Sequence, residues 1–128
     1  MSYLLDTHVL LWYFEDSPKL SESVAAIIDS ASAQKSVSVV SLWEFSIKSS
    51  LNKLSFEGGL TVLWEMITIN GFTILPIQEP HLSQLMRLPF LHRDPFDRLL
   101  IATAVEEKMT LMSADENIHQ YDVQWIWE

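Results

Sequence analysis

Read for the spacing of apolar and polar positions, the chain alternates short apolar runs with amphipathic stretches. Ser2 to Asp6 (S-Y-L-L-D) is an apolar run ending on an acid, which predicts a buried strand that stops at Asp6 and a helix opening in T-H-V-L-L-W-Y-F just after it. Ser17-Pro18 breaks the chain. Leu20 to Ala33 then places Val24, Ile27 and Ile28 on one helical face. Val37 to Val40 is short and β-branched, so it reads as the second strand. Ser41-Leu42-Trp43-Glu44 has the capping-box pattern, with Ser41 as cap and Glu44 as the third helical residue reaching back to it; this helix continues through Ile47 and Leu51. Asn52 to Gly59 is a turn region, Leu60 to Ile69 a helix ended by Asn70-Gly71, and Phe72 to Ile77 a third strand closed by Pro76. Glu79-Pro80 opens a helix running to about Leu88, on which His81 reads as a surface histidine.

The sharpest change of pattern is His92 to Ala104, H-R-D-P-F-D-R-L-L-I-A-T-A. Asp94 stands directly before Pro95, and proline suits the first helical position, so Asp94 is the natural N-cap and Asp97 the third helical residue. Phe96, Leu99, Leu100, Thr103 and Ala104 form the apolar face that follows. Thr110 to Ser113 predicts a fourth strand ending at Ala114-Asp115, and the alternation in Val123 to Trp127 predicts an edge strand. Strands alternating with helices imply an α/β layer sandwich with a mostly parallel central sheet of four to five strands, in a single domain over residues 1–128.

Composition narrows the function. A chain with 48% hydrophobic residues, five Trp and six Phe has the material for a core. The absence of cysteine excludes disulfides and thiolate metal sites. Met1 to Phe14 lacks a basic leader and is interrupted by Asp6, Thr7 and His8, so neither a signal peptide nor a membrane span is expected there, and the cytoplasm is the expected location. The net charge of −9 argues against a broad basic face for nucleic acid. Even with Asp6, Glu44, Asp97 and Asp115 neutralised by metal, −9 + 4 leaves −5. Any nucleic-acid contact must be local, and the candidates are Lys48, Lys53, Arg87, Arg93 and Arg98, each of which also reads as ordinary surface charge.

Four carboxylates stand at element boundaries. Asp6 and Asp115 follow strand ends, where open α/β sheets bind ligands, while Glu44 and Asp97 sit in first helical turns. Each has a bland alternative: helix capping for Asp6 and Glu44, a favourable dipole for Asp97, a turn for Asp115. If the four converge, two like charges about 5 Å apart at an effective dielectric near 20 repel by about 3 kcal/mol, so a cation is required. Oxygen ligands without Cys, and histidines 8, 81, 92 and 119 in no metal-ligand spacing, select Mg²⁺ or Mn²⁺ over Zn²⁺. Such an ion suits phosphoryl chemistry. Thr7, Arg93, Arg98 and Ser113 are the substrate-binding candidates around the acids.

The ordered set L-L-D6-T-H, S41-L-W-E44, H92-R-D-P-F-D97-R-L-L-I-A-T-A104 and S113-A-D115 resembles the PIN-domain ribonucleases, and within them the VapC-type toxins of bacterial toxin-antitoxin pairs. The resemblance spans the whole chain. It implies a doubly wound, three-layer α/β/α fold and Mg²⁺- or Mn²⁺-dependent endonucleolytic cleavage of RNA, with Asp6, Glu44, Asp97 and Asp115 as the catalytic, metal-binding acids. Asp94 lies outside that quartet and keeps its capping role. A cognate antitoxin and a homodimer are implied in the same way. Trp12, Tyr13, Phe14, Leu20 and Trp43 read mainly as core, and some of them are candidates for a groove that takes an amphipathic antitoxin helix whose Arg reaches the carboxylates.

Other classes fit less well. A catalytically silent PIN fold acting as a binding module predicts a missing acid, and none is missing. A phosphatase of the haloacid-dehalogenase type needs Asp two residues after the first one, where this chain has His8. A phosphotransfer receiver needs an acceptor Asp after its third strand, where Pro76-Ile77-Gln78 stands instead.

Overall fold

Five strands form one sheet in which every neighbouring pair runs parallel. They are β1 (Ser2–Leu5), β2 (Gln34–Ser38), β3 (Thr73–Leu75), β4 (Thr110–Met112) and β5 (Trp125–Ile126), in the order β3-β2-β1-β4-β5. The computed structural model describes residues 1–128. Seven helices connect and cover the strands: α1 (Thr7–Phe14), α2 (Glu22–Asp29), α3 (Val39–Ser50), α4 (Gly59–Ile69), α5 (Glu79–Arg87), α6 (Pro95–Glu107) and α7 (Glu116–His119).

β1 lies at the centre, with Leu4 opposite Ser36 on one side and Leu111 on the other. Alternate side chains of a strand point to opposite faces, and here they enter different cores. Tyr3 and Leu5 join a cluster of 15 buried residues with α1, α2, α3 and α4, whereas Leu4 joins a cluster of nine with α6 and Ile118 of α7. The sheet is therefore covered on both faces, giving the three-layer α/β/α arrangement. Every residue of α6 from Arg98 to Ala104 is buried. This helix has no solvent face over that span, a wider burial than the single apolar stripe expected from its spacing.

The structure corrects several sequence expectations. β2 ends at Ser38, and Val39 and Val40 already belong to α3, which Ser38 caps by accepting from the Val40 N–H at 3.0 Å. Ser41 is consequently inside the helix, with a buried hydroxyl that has no hydrogen-bond partner, and no Ser41–Glu44 capping box forms. α2 is shorter than expected, begins at Glu22 under a Ser21 cap, and buries Val24 and Ile28 fully. β3 is trimmed to Thr73–Leu75 because Pro76 has no N–H to give the ladder. His81 is buried: its Nδ1 accepts from the Gln78 N–H at 3.1 Å and its Nε2 meets Glu107 Oε2 at 2.6 Å, tying the start of α5 to the end of α6. Where a turn is expected after Asp115, the chain forms the short α7 under an Asp115 cap.

Candidate functional site

The strand order reverses at β1, with β2 and β3 to one side and β4 and β5 to the other. Beyond the carboxyl ends of β1 and β4 there is consequently no crossover helix in the way, and an open α/β sheet offers its binding crevice at that point. A cleft of about 390 Å³ opens there, and five carboxylates line it: Asp6, Glu44, Asp94, Asp97 and Asp115. Lys48 is the one ammonium in its wall, and Thr7, His8 and Trp12 complete the side contributed by α1.

Three of the acids are helix caps. Asp6 Oδ1 accepts from the Val9 N–H at 2.9 Å, Asp94 Oδ1 from Phe96 and Asp97 N–H groups at 2.9 and 3.0 Å, and Asp115 Oδ1 from the Asn117 N–H at 2.9 Å. The capping bonds fall on one oxygen of each carboxylate, so capping a helix and lining the cleft are compatible. The starts of α1, α6 and α7 also point their free N–H groups toward the acids, which favours negative charge there. Asp97, the third residue of α6, stands one turn in from its cap, as its spacing predicts.

Glu44 reaches the cleft by another route. It is the sixth residue of α3 and not the third, and it faces α1, where Thr7 Oγ1 donates to its Oε1 at 2.6 Å. Lys48, one turn further along α3, donates to its Oε2. Thr7 thus holds an acid in place, and both groups are buried.

Electrostatics show that the acids share one field. Burial raises the Asp6 carboxyl above the ordinary range, with Glu44 adding to the rise, while Ser113 and the Val9 N–H pull it back down. Burial pushes Asp97 up to about 7; His92 opposes this, and Asp94, Asp115 and Asp6 reinforce it by repulsion. The Lys48 ammonium loses solvation but is strengthened more by Glu44, and by Asp94 and Asp97. No three of the His, Asp or Glu side chains are drawn together tightly enough in this conformation to surround a single ion.

The sequence matches the PIN domain model over residues 3–124. The chain belongs to the PIN domain family. A search of curated proteins returned no match. Among solved structures, this PIN domain is similar to a chain of VapBC2 from Rickettsia felis bound to a DNA fragment from their promoter, with a TM-score of 0.74, 14% identity and 100% of both chains covered. VapBC-1 from nontypeable Haemophilus influenzae gives a TM-score of 0.70 at 16% identity, covering 98% of this chain and 97% of that one. FitAcB from Neisseria gonorrhoeae gives 0.67 at 22% identity, covering 97% and 96%. At these identities the likeness is one of fold.

Within the PIN domain the substrate-binding candidates fare differently. Thr7 lines the cleft and Ser113 lies buried beneath it, its Oγ accepting from the Asp115 N–H at 3.0 Å. Arg93 is exposed and outside the cleft wall. Arg98 is not available as a substrate cation, because it is 8% exposed and its Nη1 donates to Pro89 O at 2.9 Å and to Tyr121 Oη at 3.0 Å. A charged side chain in the first turn of a helix reads as surface from sequence, but here Phe90 and Tyr121 close over it. Leu20 is core, Trp12, Tyr13 and Phe14 are partly buried against it, and Trp43 is exposed with its ring edge on Phe96.

Sequence reading missed the supports of Asp97. Tyr121 Oη accepts from Arg98 and from the His92 N–H, which leaves its proton for His92 Nδ1 at 2.8 Å. His92 Nε2 then carries the ring proton and donates to Asp97 Oδ2 at 3.1 Å. His119, with Nε2 at 2.7 Å from Ser113 O and its ring stacked on Trp125, steadies the turn that presents Asp115. These contacts join residues far apart in the chain, and no local spacing signals them.

Proposed function

We propose that this PIN domain is a Mg²⁺- or Mn²⁺-dependent endoribonuclease and the toxin of a toxin-antitoxin pair. The observation that carries the reading is the collection of five carboxylates at the sheet's switch point, with Asp97 raised to about 7 by burial and by its neighbours' charge. The donor set fits a hard divalent ion: it offers carboxylate oxygens, no thiolate and no histidine pair. Asp6, Glu44, Asp97 and Asp115 are the residues that would hold it, with Glu44 steadied by Thr7. When bound, the ion supplies Lewis acidity, activating water for in-line attack on phosphorus and stabilising the leaving oxygen. The chain's own contribution is rigidity: three helix caps fix the carboxylates, and His92 and Tyr121 orient Asp97. His92 takes only Oδ2 of Asp97, so the acid can be oriented and still offer Oδ1 to an ion.

The pairing of Glu44 with Lys48 favours one alternative, a PIN fold that binds partners without cutting, because Lys48 already neutralises one acid. Expression of wild type and Asp6→Ala in bacteria, with RNA ends mapped in both, separates the two. Discrete cuts and growth arrest in the wild type alone are expected; the same ends in both strains, or none in either, would remove the nuclease reading. The solved relatives by fold are VapBC and FitAcB assemblies, which supports an antitoxin partner. A second cleft, where Phe14, Phe56, Val62 and Met66 lie beside Glu15 and Glu57, suits an amphipathic helix with basic flanks. A homodimer belongs to the same proposal, with exposed Leu82, Met86, Phe90 and Leu91 as its contact surface, to be tested by sedimentation.

A further inference from the structure

The proposed substrate poses a charge problem. RNA carries a phosphate on every nucleotide, proteins that hold it by its backbone do so with Lys and Arg, and this chain has a net charge of −9. In the cleft the single ammonium, Lys48, is spent on Glu44, and Arg98 is buried elsewhere. Phosphate neutralisation inside the cleft can therefore supply little affinity. Nucleic-acid binding has a second source that needs no charge, the stacking of bases on aromatic side chains.

The wall of the cleft carries such a surface. His8 and Trp12 are one turn apart on α1 and both face the cleft, with ring centroids 5.9 Å apart. Trp12 is backed by Trp127 at 5.8 Å, which fixes its plane, and His8 is exposed. Asp6, the cap of this same helix, precedes Trp12 by six residues, about 9 Å along the axis. A base beside the scissile phosphate is thus within reach of the indole. Lys19, which makes no ion pair, holds its Nζ 5.9 Å from the Trp12 ring centroid, where a flanking phosphate can meet it. His8 and Trp12 are the only rings that line the cleft, and Trp12 and Ala114 its only apolar residues.

Resting on the nuclease reading, we propose that His8 and Trp12 form a base-stacking subsite for single-stranded RNA, taking an unpaired nucleobase next to the cut, with Lys19 at its outer edge. A stacking contact beside an acidic metal site explains how an acidic protein grips a polyanion. Affinity then depends on a base more than on salt.

The test uses the full chain with a short fluorescent single-stranded RNA spanning a mapped cut, and a series in which one nucleotide at a time around that cut is abasic. Binding is followed by anisotropy in Ca²⁺ and cleavage in Mn²⁺. One abasic position should weaken wild-type binding by about five-fold or more, the range for loss of one stacked base. Trp12→Ala should weaken the intact RNA as much and be indifferent to that abasic position, while Trp12→Phe, which keeps a ring on Trp127, should retain both affinity and discrimination. RNA should quench indole fluorescence in the wild type and less in Trp12→Phe. Raising salt should weaken binding only as far as release from one or two phosphates requires. Wild-type cutting that ignores every abasic position would overturn the subsite and leave the nuclease standing; no cutting of any RNA would remove both. Trp12→Ala that binds RNA normally but loses a helical partner peptide would reassign the surface to that partner.

Discussion

At the scale of single residues, the molecule shows that a helix cap and a cleft acid can be the same side chain. Asp6, Asp94 and Asp115 each satisfy backbone N–H groups through Oδ1, so their positions are set by folding before any ligand arrives. Asp97 differs, because it caps nothing and bears the crowding. Asp97→Asn should abolish RNA cleavage and leave the apo fold more stable by about 1–2 kcal/mol in urea titrations, once solvent screening is allowed for. Its raised pKa also sets a pH dependence. Folded Asp97 binds its proton up to about pH 7, whereas the unfolded residue gives it up near its ordinary value of 3.8, so the stabilisation is full below that value and fades as pH rises toward 7. Metal-free wild type should therefore gain stability on acidification through this window, less so in Asp97→Asn, as read by melting temperature; a flat profile in both would count against the shared field. Arg98 gives the opposite lesson. Arg98→Met should cost about 2 kcal/mol by removing two charge-assisted hydrogen bonds, to Pro89 O and Tyr121 Oη, although each oxygen keeps another partner, while Arg93→Ala on the surface should stay within about 0.5 kcal/mol.

Elements were legible where local chemistry and tertiary context agree. The Asp94-Pro95 start of α6, the Asp6 boundary and the Asn70-Gly71 stop all lie where capping and turn chemistry put them. At the β2–α3 junction Val37, Val39 and Val40 are β-branched and favour a strand by local preference, but the Ser38 cap two residues before Val40 turns the chain into α3. Sheet pairing with β1 decides the point: only Gln34, Lys35 and Ser36 have β1 partners, and Val37 and Ser38 continue against β3. The earlier helix start shifts Glu44 in register without moving it out of the site, since a residue three positions further along still faces α1. His81 reads as surface in the sequence because its partners, Gln78 and Glu107, lie at its own cap and on another helix. His81→Ala should leave the Gln78 N–H and Glu107 without a partner and lower stability by about 2 kcal/mol, with α5 amides exchanging faster than those of α6.

For the whole molecule, strand alternation made the parallel sheet legible, but strand order is not written in any window of sequence. That the four boundary acids share a cleft follows from β4 docking beside β1, a pairing across more than a hundred residues. Binding of Mg²⁺ or Mn²⁺ to the folded state alone should raise the melting temperature; at a hundred times Kd the gain is about 2.7 kcal/mol, and an unchanged curve at millimolar metal would argue for the non-cutting alternative.

The same pairing has a consequence for synthesis. Three of the cleft's acids, Asp94, Asp97 and Asp115, lie beyond the third strand in sequence, and β4 is made after β1, β2 and β3. A fragment that stops before Thr110 keeps β1 beside β2 and carries Asp6, Glu44, Asp94 and Asp97, but it lacks Asp115 and the β4 edge that closes the trough against β1, so such a copy holds only part of the acid set.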